Sequence, residues 1–265
     1  MTAPDEAPPR AAGRHAGAPA SHLEVVVHPD AAALAEATAA RLLIHLLDRQ
    51  SLRAPLHVVL TGGTAGTATL RAIAASPVRD AVDWSGVHVW WGDERFVPAD
   101  SPDRNERQAR EALLDALPIP ADNVHAMPAQ GAALDEHAAA TWYAAELARF
   151  GDPVPRFDVL LLGVGPDGHV ASLFPGHATL HERARSVVGE PESPKPPPHR
   201  VSLTFPAIRA AREVWLVVAG QDKADAVARA LSGSPVDEIP AAGALGAERT
   251  LWLVDVSAAS TIPVS

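Results

Sequence analysis

Runs of apolar residues recur along the chain and alternate with segments that carry apolar residues at helical spacing. The clearest runs lie at 157–162, 213–218 and 250–254, where most side chains are apolar. A strand that does not alternate polar with apolar residues is typical of a sheet covered on both faces, as parallel sheets are. The alternation of such strands with helices therefore predicts an α/β fold, with a largely parallel sheet flanked by helices.

Further segments complete this pattern. Strands are expected at 23–27, 56–60 and 87–91, and helices at 30–50, from about 67, and at 104–116, 134–149 and 222–231. We predict a Rossmann-like three-layer domain over residues 21–265, preceded by a disordered tail over residues 1–20, which has almost nothing to bury. The proline-rich segment 191–198 is expected to form an extended loop. The alternative is a linker between two domains, but the strands that follow it are too few for a second domain.

The composition excludes several classes of protein. The chain has no cysteine, which rules out disulfides, thiolate nucleophiles and cysteine-based metal sites. Its formal net charge of −10 argues against general binding of nucleic acid, because phosphate neutralisation needs a basic surface. The sequence shows neither an apolar run long enough to span a membrane nor a signal-peptide pattern, so it predicts a cytoplasmic protein that does not bind membranes.

A segment rich in glycine and threonine follows the predicted strand 56–60. It reads Thr61-Gly62-Gly63-Thr64-Ala65-Gly66-Thr67. Glycines let the backbone turn sharply and present N–H groups, and the start of the next helix adds a positive dipole, so the segment suits a phosphate group. It matches neither the Walker loop nor the dinucleotide-binding pattern. Gly62, Gly63 and Thr64 are therefore candidate phosphate ligands, and the alternative is a plain turn of small residues.

A charged cluster follows the predicted strand 87–91. It consists of Asp93, Glu94 and Arg95, which come directly after Gly92. Charged groups beside a buried strand need partners or solvent. The planar guanidinium of Arg95 suits an oxyanion, which makes Arg95 a candidate phosphate ligand. Asp93 and Glu94 are further candidates, and the alternative for the cluster is a set of surface salt bridges.

A third polar cluster follows the predicted strand 157–162. Asp167 and His169 lie two residues apart in the glycine-rich segment 163–168, and a carboxylate beside an imidazole fixes its tautomer and raises its basicity. We predict His169 as a catalytic base and Asp167 as its partner, with Gly165 and Gly168 as further candidates in this loop. A metal site is the less favoured alternative, because no third ligand lies close in sequence. Ser172 is expected to cap a helix or pack in the core, since no nucleophile-elbow pattern surrounds it.

These segments, together with a fourth that contains the proline-rich loop, resemble the signature segments of the 6-phosphogluconolactonase family in order and spacing. They are residues 61–64, 92–98, 162–175 and 194–204, and the resemblance spans about residues 23–255. The superfamily also includes glucosamine-6-phosphate deaminase, whose corresponding segment continues towards Asn-Glu-Pro and supplies a catalytic glutamate. This chain has Leu173-Phe174-Pro175 there, as in the lactonases.

The chain departs from the lactonase pattern in two places. The family's glycine-rich loop usually reads Ser-Gly-Gly-Ser-Thr-Pro, whereas Ala65 and Gly66 stand at its last two positions here. A hydroxyl donor is thereby lost at position 65. The family usually has Ser-Asn after the charged cluster, whereas this chain has Arg104 followed by Asn105, so Asn105 is a candidate and its neighbour differs.

The resemblance implies an enzyme that hydrolyses 6-phospho-D-glucono-1,5-lactone in the oxidative pentose phosphate pathway. It implies no cofactor and no metal, and it adds Lys195 and Arg200 as candidate cations for the phosphate. The stabiliser of the oxyanion is left open between N–H groups of the 163–168 loop and a nearby cation. The role of Lys223 is also left open. A monomer is expected, with a homo-oligomer as the alternative. Two other functions remain: a deaminase-like aldose–ketose isomerase and a non-catalytic sugar-phosphate sensor.

Overall fold

The structure is a computed structural model that describes residues 22–262. Residues 1–21 and 263–265 lie outside the described part of the chain, and so does the tail that the sequence predicts over residues 1–20. The strands are β1 (His22–His28), β2 (Leu56–Leu60), β3 (Val87–Trp91), β4 (Asp93–Arg95), β5 (Val159–Leu162), β6 (Val187–Glu190), β7 (Arg200–Leu203), β8 (Glu213–Val218) and β9 (Arg249–Asp255). The helices are α1 (Ala31–Gln50), α2 (Gly63–Ala75), α3 (Asn105–Ala112), α4 (Glu136–Ala148), α5 (Phe205–Arg209) and α6 (Ala224–Leu231).

Six strands form one sheet in the order β1-β9-β8-β5-β2-β3. Every neighbouring pair in this sheet is parallel. All side chains of β2, β5 and β8 are buried, because helices cover both faces of the central strands. The prediction of an α/β fold with a largely parallel sheet flanked by helices is confirmed.

A second, smaller sheet was not predicted from the sequence. It contains three antiparallel strands in the order β4-β7-β6. The chain passes from the large sheet to the small one at Gly92, whose N–H donates to the carbonyl of Leu60 and whose carbonyl accepts from the N–H of Leu203. The charged cluster therefore lies on a strand, β4, and the proline-rich segment leads into β7, which pairs with it.

Helix α1 shows how local sequence and packing agree. Asp30 accepts a hydrogen bond at 2.8 Å from the N–H of Ala33, which is the N-cap that the sequence predicts. Leu34, Leu42, Leu43 and Leu46 lie on one face and are buried. Each buried leucine side chain contributes roughly 1.5–3 kcal/mol by leaving water, so this face anchors the helix to the sheet.

Other helices begin or end a few residues from the predicted bounds. The helix expected over 104–116 ends at Ala112 and continues as a 3₁₀ turn at 114–116, and the one expected over 222–231 begins as a 3₁₀ turn at 221–223. None of the helices between residues 22 and 262 is long and apolar enough to cross a membrane.

Candidate active site

A cavity of about 670 Å³ lies at the carboxyl edge of the six-stranded sheet. Ligands bind at this edge in open α/β sheets, because the loops after the strands converge there. All three polar clusters reach the cavity wall, together with the proline-rich segment. The candidate residues that line it are Gly62, Gly63, Thr64, Asp93, Arg95, Asn105, Gly165, His169, Lys195 and Arg200. Glu94, Asp167 and Gly168 do not line it.

The glycine-rich loop forms the N-terminus of α2. Gly62 is the N-cap, and Gly63 has a φ of +78°, a backbone conformation that residues other than glycine rarely adopt. A Cβ atom on Gly62 would lie 2.0 Å from Oδ1 of Asn105, so the loop can pack against that side chain only as glycine. The first-turn N–H groups of a helix are free to bind an anion, and those of α2 belong to residues that line the cavity.

Asn105 and Asp93 form the wall beside this loop. The Asn105 side chain donates from Nδ2 to the carbonyl of Asp93 at 2.9 Å, while its Oδ1 is buried and has no hydrogen-bond partner within residues 22–262. Asp93 accepts a hydrogen bond from the Ser172 hydroxyl at 2.7 Å. Ser172 is fully buried, and its N–H donates to Ser202. The sequence interpretation of Ser172 as a packing residue agrees with this placement.

Glu94 holds the start of α3 instead of facing the cavity. Its carboxylate accepts hydrogen bonds from the N–H groups of Arg95, Asn105 and Glu106 at 2.8, 2.7 and 2.9 Å. Burial raises the pKa of Glu94 to about 7, although the Arg104 guanidinium at 3.7 Å and the three N–H groups act in the opposite direction. Glu94 thus holds the backbone N–H groups of two cavity residues, Arg95 and Asn105.

Arg104 stands where the family pattern has a serine, and its role was not predicted. The side chain is 1% exposed and pairs with Glu94 and Glu106 at 3.7 and 3.4 Å. It also donates to the carbonyl of Met127 at 2.7 Å. Glu106 is close to Arg104 in sequence, but Glu94 and Met127 come from other parts of the chain, so no local pattern signals the whole role.

Arg95 extends from β4 along the cavity wall. Its Nη1 donates to the carbonyl of Asp103 at 2.6 Å, and its Nε is buried without a hydrogen-bond partner among the described residues. Arg95 lines the same cavity as Asn105 and the N-terminus of α2.

His169 and Asp167 form a hydrogen-bonded pair. Nδ1 of the imidazole lies 2.5 Å from Oδ1 of the carboxylate, and Nε2 has no hydrogen-bond partner within residues 22–262. Burial raises the pKa of Asp167, but the hydrogen bond from His169 and the positive charges of His169 and Lys195 outweigh it and hold this pKa well below its usual value. The pair has the geometry in which Asp167 fixes the tautomer of His169.

Two glycines and one phenylalanine shape the loop around this pair. A Cβ on Gly165 would lie 2.0 Å from Nδ1 of His169, so the absence of a side chain there makes room for the imidazole. Gly168 has a φ of +81° and turns the chain just before His169. The Phe174 ring lies 4.7 Å from the imidazole, centroid to centroid. Phe174 therefore supports the catalytic candidate, a contact that the sequence did not predict.

The proline-rich segment brings Lys195 to the histidine–aspartate pair. Nζ of Lys195 lies 3.5 Å from Oδ1 of Asp167 and 3.4 Å from Nδ1 of His169. Arg200 donates from Nε and Nη2 to the carbonyls of Pro197, Lys195 and Pro196, at 2.8 to 3.2 Å. Most of the hydrogen bonds of Arg200 therefore hold this segment in place.

Lys223 also lines the cavity, and its Nζ pairs with Asp222 at 2.6 Å. The sequence had left the role of Lys223 open. Within residues 22–262, no group of three or more His, Asp or Glu side chains is placed to hold a metal ion.

The parallel sheet, the helix N-terminus and the histidine–aspartate pair at one edge define an α/β protein whose ligand cleft lies at the carboxyl ends of its strands. A family model described as glucosamine-6-phosphate isomerases/6-phosphogluconolactonase matches residues 29–252. The chain belongs to this family.

Relatives and solved structures agree with this assignment. The 6-phosphogluconolactonase of Streptomyces coelicolor is 56% identical over 249 residues, which cover 91% of this chain and 95% of the relative. The structure of 6-phosphogluconolactonase from Trypanosoma cruzi matches with a TM-score of 0.80 at 26% identity and covers 91% of this chain and 97% of that one. A monomeric glucosamine-6-phosphate deaminase, 19% identical over 90% of this chain and 99% of its own, shares the fold with a TM-score of 0.73.

Proposed function

We propose that the chain is a 6-phosphogluconolactonase, which hydrolyses 6-phospho-D-glucono-1,5-lactone to 6-phospho-D-gluconate in the oxidative pentose phosphate pathway. The observation that carries the proposal is the convergence of the His169–Asp167 pair and the N-terminus of α2 on one cavity. A phosphorylated lactone needs both an anion site and a base near its carbonyl. The curated relative at 56% identity bears the same name.

The phosphate is assigned to the N-terminus of α2. Free N–H groups of Gly63 and Thr64 and the positive end of the helix dipole favour a dianion there. Arg95 lies on the adjacent wall of the cavity and adds a full positive charge. Lys195 and Arg200 remain candidate phosphate cations from the sequence, although most of Arg200's hydrogen bonds go to backbone carbonyls.

His169 is the general base in this proposal. Because Asp167 engages Nδ1, the unpartnered Nε2 takes a proton from a water molecule as that water attacks the lactone carbonyl carbon. The resulting tetrahedral intermediate collapses, the bond to the ring oxygen breaks, and the imidazolium returns its proton to that oxygen. The reaction consumes only water, so the proposal includes no cofactor and no metal.

The oxyanion of the intermediate is assigned to a cation instead of the 163–168 loop. The N–H groups of Gly163, Gly165, Gly168 and His169 already donate to protein acceptors. This leaves few loop donors for the oxyanion, whereas Arg95, Lys195 and Lys223 all line the cavity.

We further propose one domain over residues 21–265 and a cytoplasmic monomer that binds neither nucleic acid nor membranes. One hydrophobic core includes buried side chains from both sheets, such as Val159 and Val201, which supports the single domain. Size-exclusion chromatography coupled to light scattering tests the proposed monomeric state, because it measures the molar mass in solution.

The substitution His169→Ala tests the proposed function. The lactone is formed from glucose 6-phosphate by its dehydrogenase, and the product is detected as NADPH by 6-phosphogluconate dehydrogenase, with the spontaneous rate subtracted. We expect turnover to fall by about 10²- to 10⁴-fold, the usual contribution of a general base. The matched control is His181→Ala, since His181 is half-exposed, pairs with Asp237 and lies outside the cavity. Equal turnover of the two variants would contradict the assignment of His169.

The same preparation separates the other two functions. A deaminase-like enzyme would release ammonia from glucosamine 6-phosphate, and a sensor would bind lactone without accelerating its hydrolysis. The corresponding segment of the deaminases supplies a catalytic glutamate. This chain has two buried apolar side chains there, Leu173 and Phe174. We therefore expect no ammonia release.

A further inference from the structure

The proline-rich segment places one charged group at the catalytic pair. Nζ of Lys195 lies 3.4 Å from Nδ1 of His169 and 3.5 Å from Oδ1 of Asp167. The carbonyl of Lys195 is held by Nη2 of Arg200, a residue that is 5% exposed, and by the Ser193 hydroxyl at 2.9 Å. Two hydrogen bonds therefore hold the backbone of Lys195 in place. From this position its ammonium reaches the pair.

This placement differs from that of a phosphate ligand. Within the described residues, the hydrogen-bond partners of the ammonium are the two members of the pair, and none of them belongs to the N-terminus of α2. We propose that Lys195 is a positioning residue for the His169–Asp167 pair, which keeps the imidazole in its neutral, proton-accepting form. This inference rests on the proposed lactone hydrolysis.

Two opposite charges, those of Asp167 and Lys195, act on the imidazole of His169. A carboxylate at 2.5 Å from Nδ1 stabilises a proton on the imidazole, and an imidazole that is protonated before water attacks cannot act as a base. A positive charge at 3.4 Å opposes that protonation and lets Asp167 orient the ring without converting it into a permanent cation. Asp167 and Lys195 are the charged groups in contact with this ring among residues 22–262, and the Phe174 ring against it is neutral. Asp222, which pairs with Lys223, lies near enough to interact with Lys195 by charge alone.

The test is the pH profile of kcat/KM for Lys195→Met in the full chain, between pH 5 and pH 8. Two substrates are compared, the 6-phosphorylated lactone and unphosphorylated D-glucono-1,5-lactone, with spontaneous hydrolysis subtracted at each pH. We expect the acid limb to move to higher pH by about one unit with both substrates, the shift that a unit charge at this distance causes in a water-like dielectric. The ratio of the two KM values should not change.

Two further variants serve as controls. Lys195→Arg keeps the positive charge, and its acid limb should return to the wild-type position. Arg107→Met removes a positive charge that lies outside the cavity and pairs with Glu111, and it should leave the acid limb where it is. Because the Lys195 side chain is 41% exposed, its substitution should not change the melting temperature.

Three results would overturn the inference. Loss of kcat/KM only with the phosphorylated lactone would make Lys195 a phosphate ligand. Equal loss with both lactones and an unmoved acid limb would assign Lys195 to the oxyanion. If the wild-type chain accelerated the hydrolysis of neither lactone, the proposed function itself would fail. The wild-type assay comes first, so this outcome is distinguished before any variant is compared.

Discussion

At the scale of single residues, Arg95 shows why position matters more than net charge. The chain carries a formal charge of −10, yet its cavity is lined by Arg95, Lys195, Arg200 and Lys223. A small dianion responds to charges within about 10 Å, the Debye length at ordinary salt, and not to the distant acidic surface. The acidic net charge, which argues against nucleic-acid binding, is therefore compatible with a phosphorylated substrate.

The substitution Arg95→Ala should raise KM for the phosphorylated lactone about 10- to 100-fold, because a hydrogen bond to a charged group contributes roughly 1.5–3 kcal/mol. KM for D-glucono-1,5-lactone should change much less. Steady-state kinetics with both lactones measures the difference. Arg107→Ala is the matched control, since Arg107 is a half-exposed arginine that pairs with Glu111 on α3 and lies outside the cavity. An equal increase in KM for both lactones would contradict a phosphate role for Arg95.

At the scale of elements, α3 is capped by a residue that lies eleven positions away in sequence. Its N-cap residue, Arg104, makes no capping hydrogen bond through its side chain, and Glu94 on β4 accepts the first N–H groups instead. Glu94→Gln should therefore lower the free energy of unfolding by about 1–3 kcal/mol, because the amide nitrogen cannot accept a hydrogen bond. It should also lower kcat/KM, since Arg95 and Asn105 would lose their fixed backbone.

Urea denaturation and the coupled assay measure the two effects of Glu94→Gln. Glu111→Gln is the control on the same helix, because Glu111 is 61% exposed and forms only a surface ion pair, so its stability should change by less than about 0.5 kcal/mol. Similar unfolding curves for the two variants would refute the capping role.

The elements also show what the sequence can and cannot predict. The six strands of the parallel sheet were predictable because apolar runs such as Val159–Leu162 are typical of strands that are buried on both faces of a sheet. The small sheet was missed, since β4 consists of three charged residues and β6 and β7 have only four residues each, in which charged and apolar side chains are mixed. The contact between Asp167 and His169 was predictable because the two residues are neighbours in sequence. The contacts of Arg104 with Met127 and of Lys195 with Asp167 and His169 join distant segments, so no local pattern could reveal them.

At the scale of the whole molecule, a cluster of three imidazoles, from His57 on β2, His88 on β3 and His125, couples stability to pH. His57 is buried and accepts a hydrogen bond from Trp90 at 3.1 Å, and His88 lies 2.9 Å from His125. Burial lowers the pKa of His57 from 6.5 to about 4, with a smaller contribution from the neighbouring charges of His88 and His125. The folded state therefore excludes a proton that the unfolded chain accepts.

This difference predicts a loss of stability in acid. Because the pKa of His57 is lower in the folded state, neutral His57 contributes fully to the free energy of unfolding above pH 6.5. This contribution is lost as the pH falls from 6.5 to about 4. The loss amounts to about 3 kcal/mol, and His57→Gln should remove that part of the pH dependence while keeping an acceptor for Trp90. Denaturant unfolding at several pH values measures it, with His137→Gln, an exposed histidine, as the control. Parallel curves for wild type and His57→Gln would show that His57 does not titrate on unfolding.

The two lysines of the cavity determine how the protein reacts with amine-directed reagents. Lys195 and Lys223 are the only lysines in 265 residues, and both line the cavity at 41% and 25% side-chain exposure. Apart from the α-amino group, every primary amine of the chain thus lies in the cavity wall. Amine-directed reagents would act on this protein as active-site reagents, and a bound phosphorylated sugar should shield both groups. Attachment to a surface through lysine would block the cleft, whereas attachment through carboxylates would leave it open.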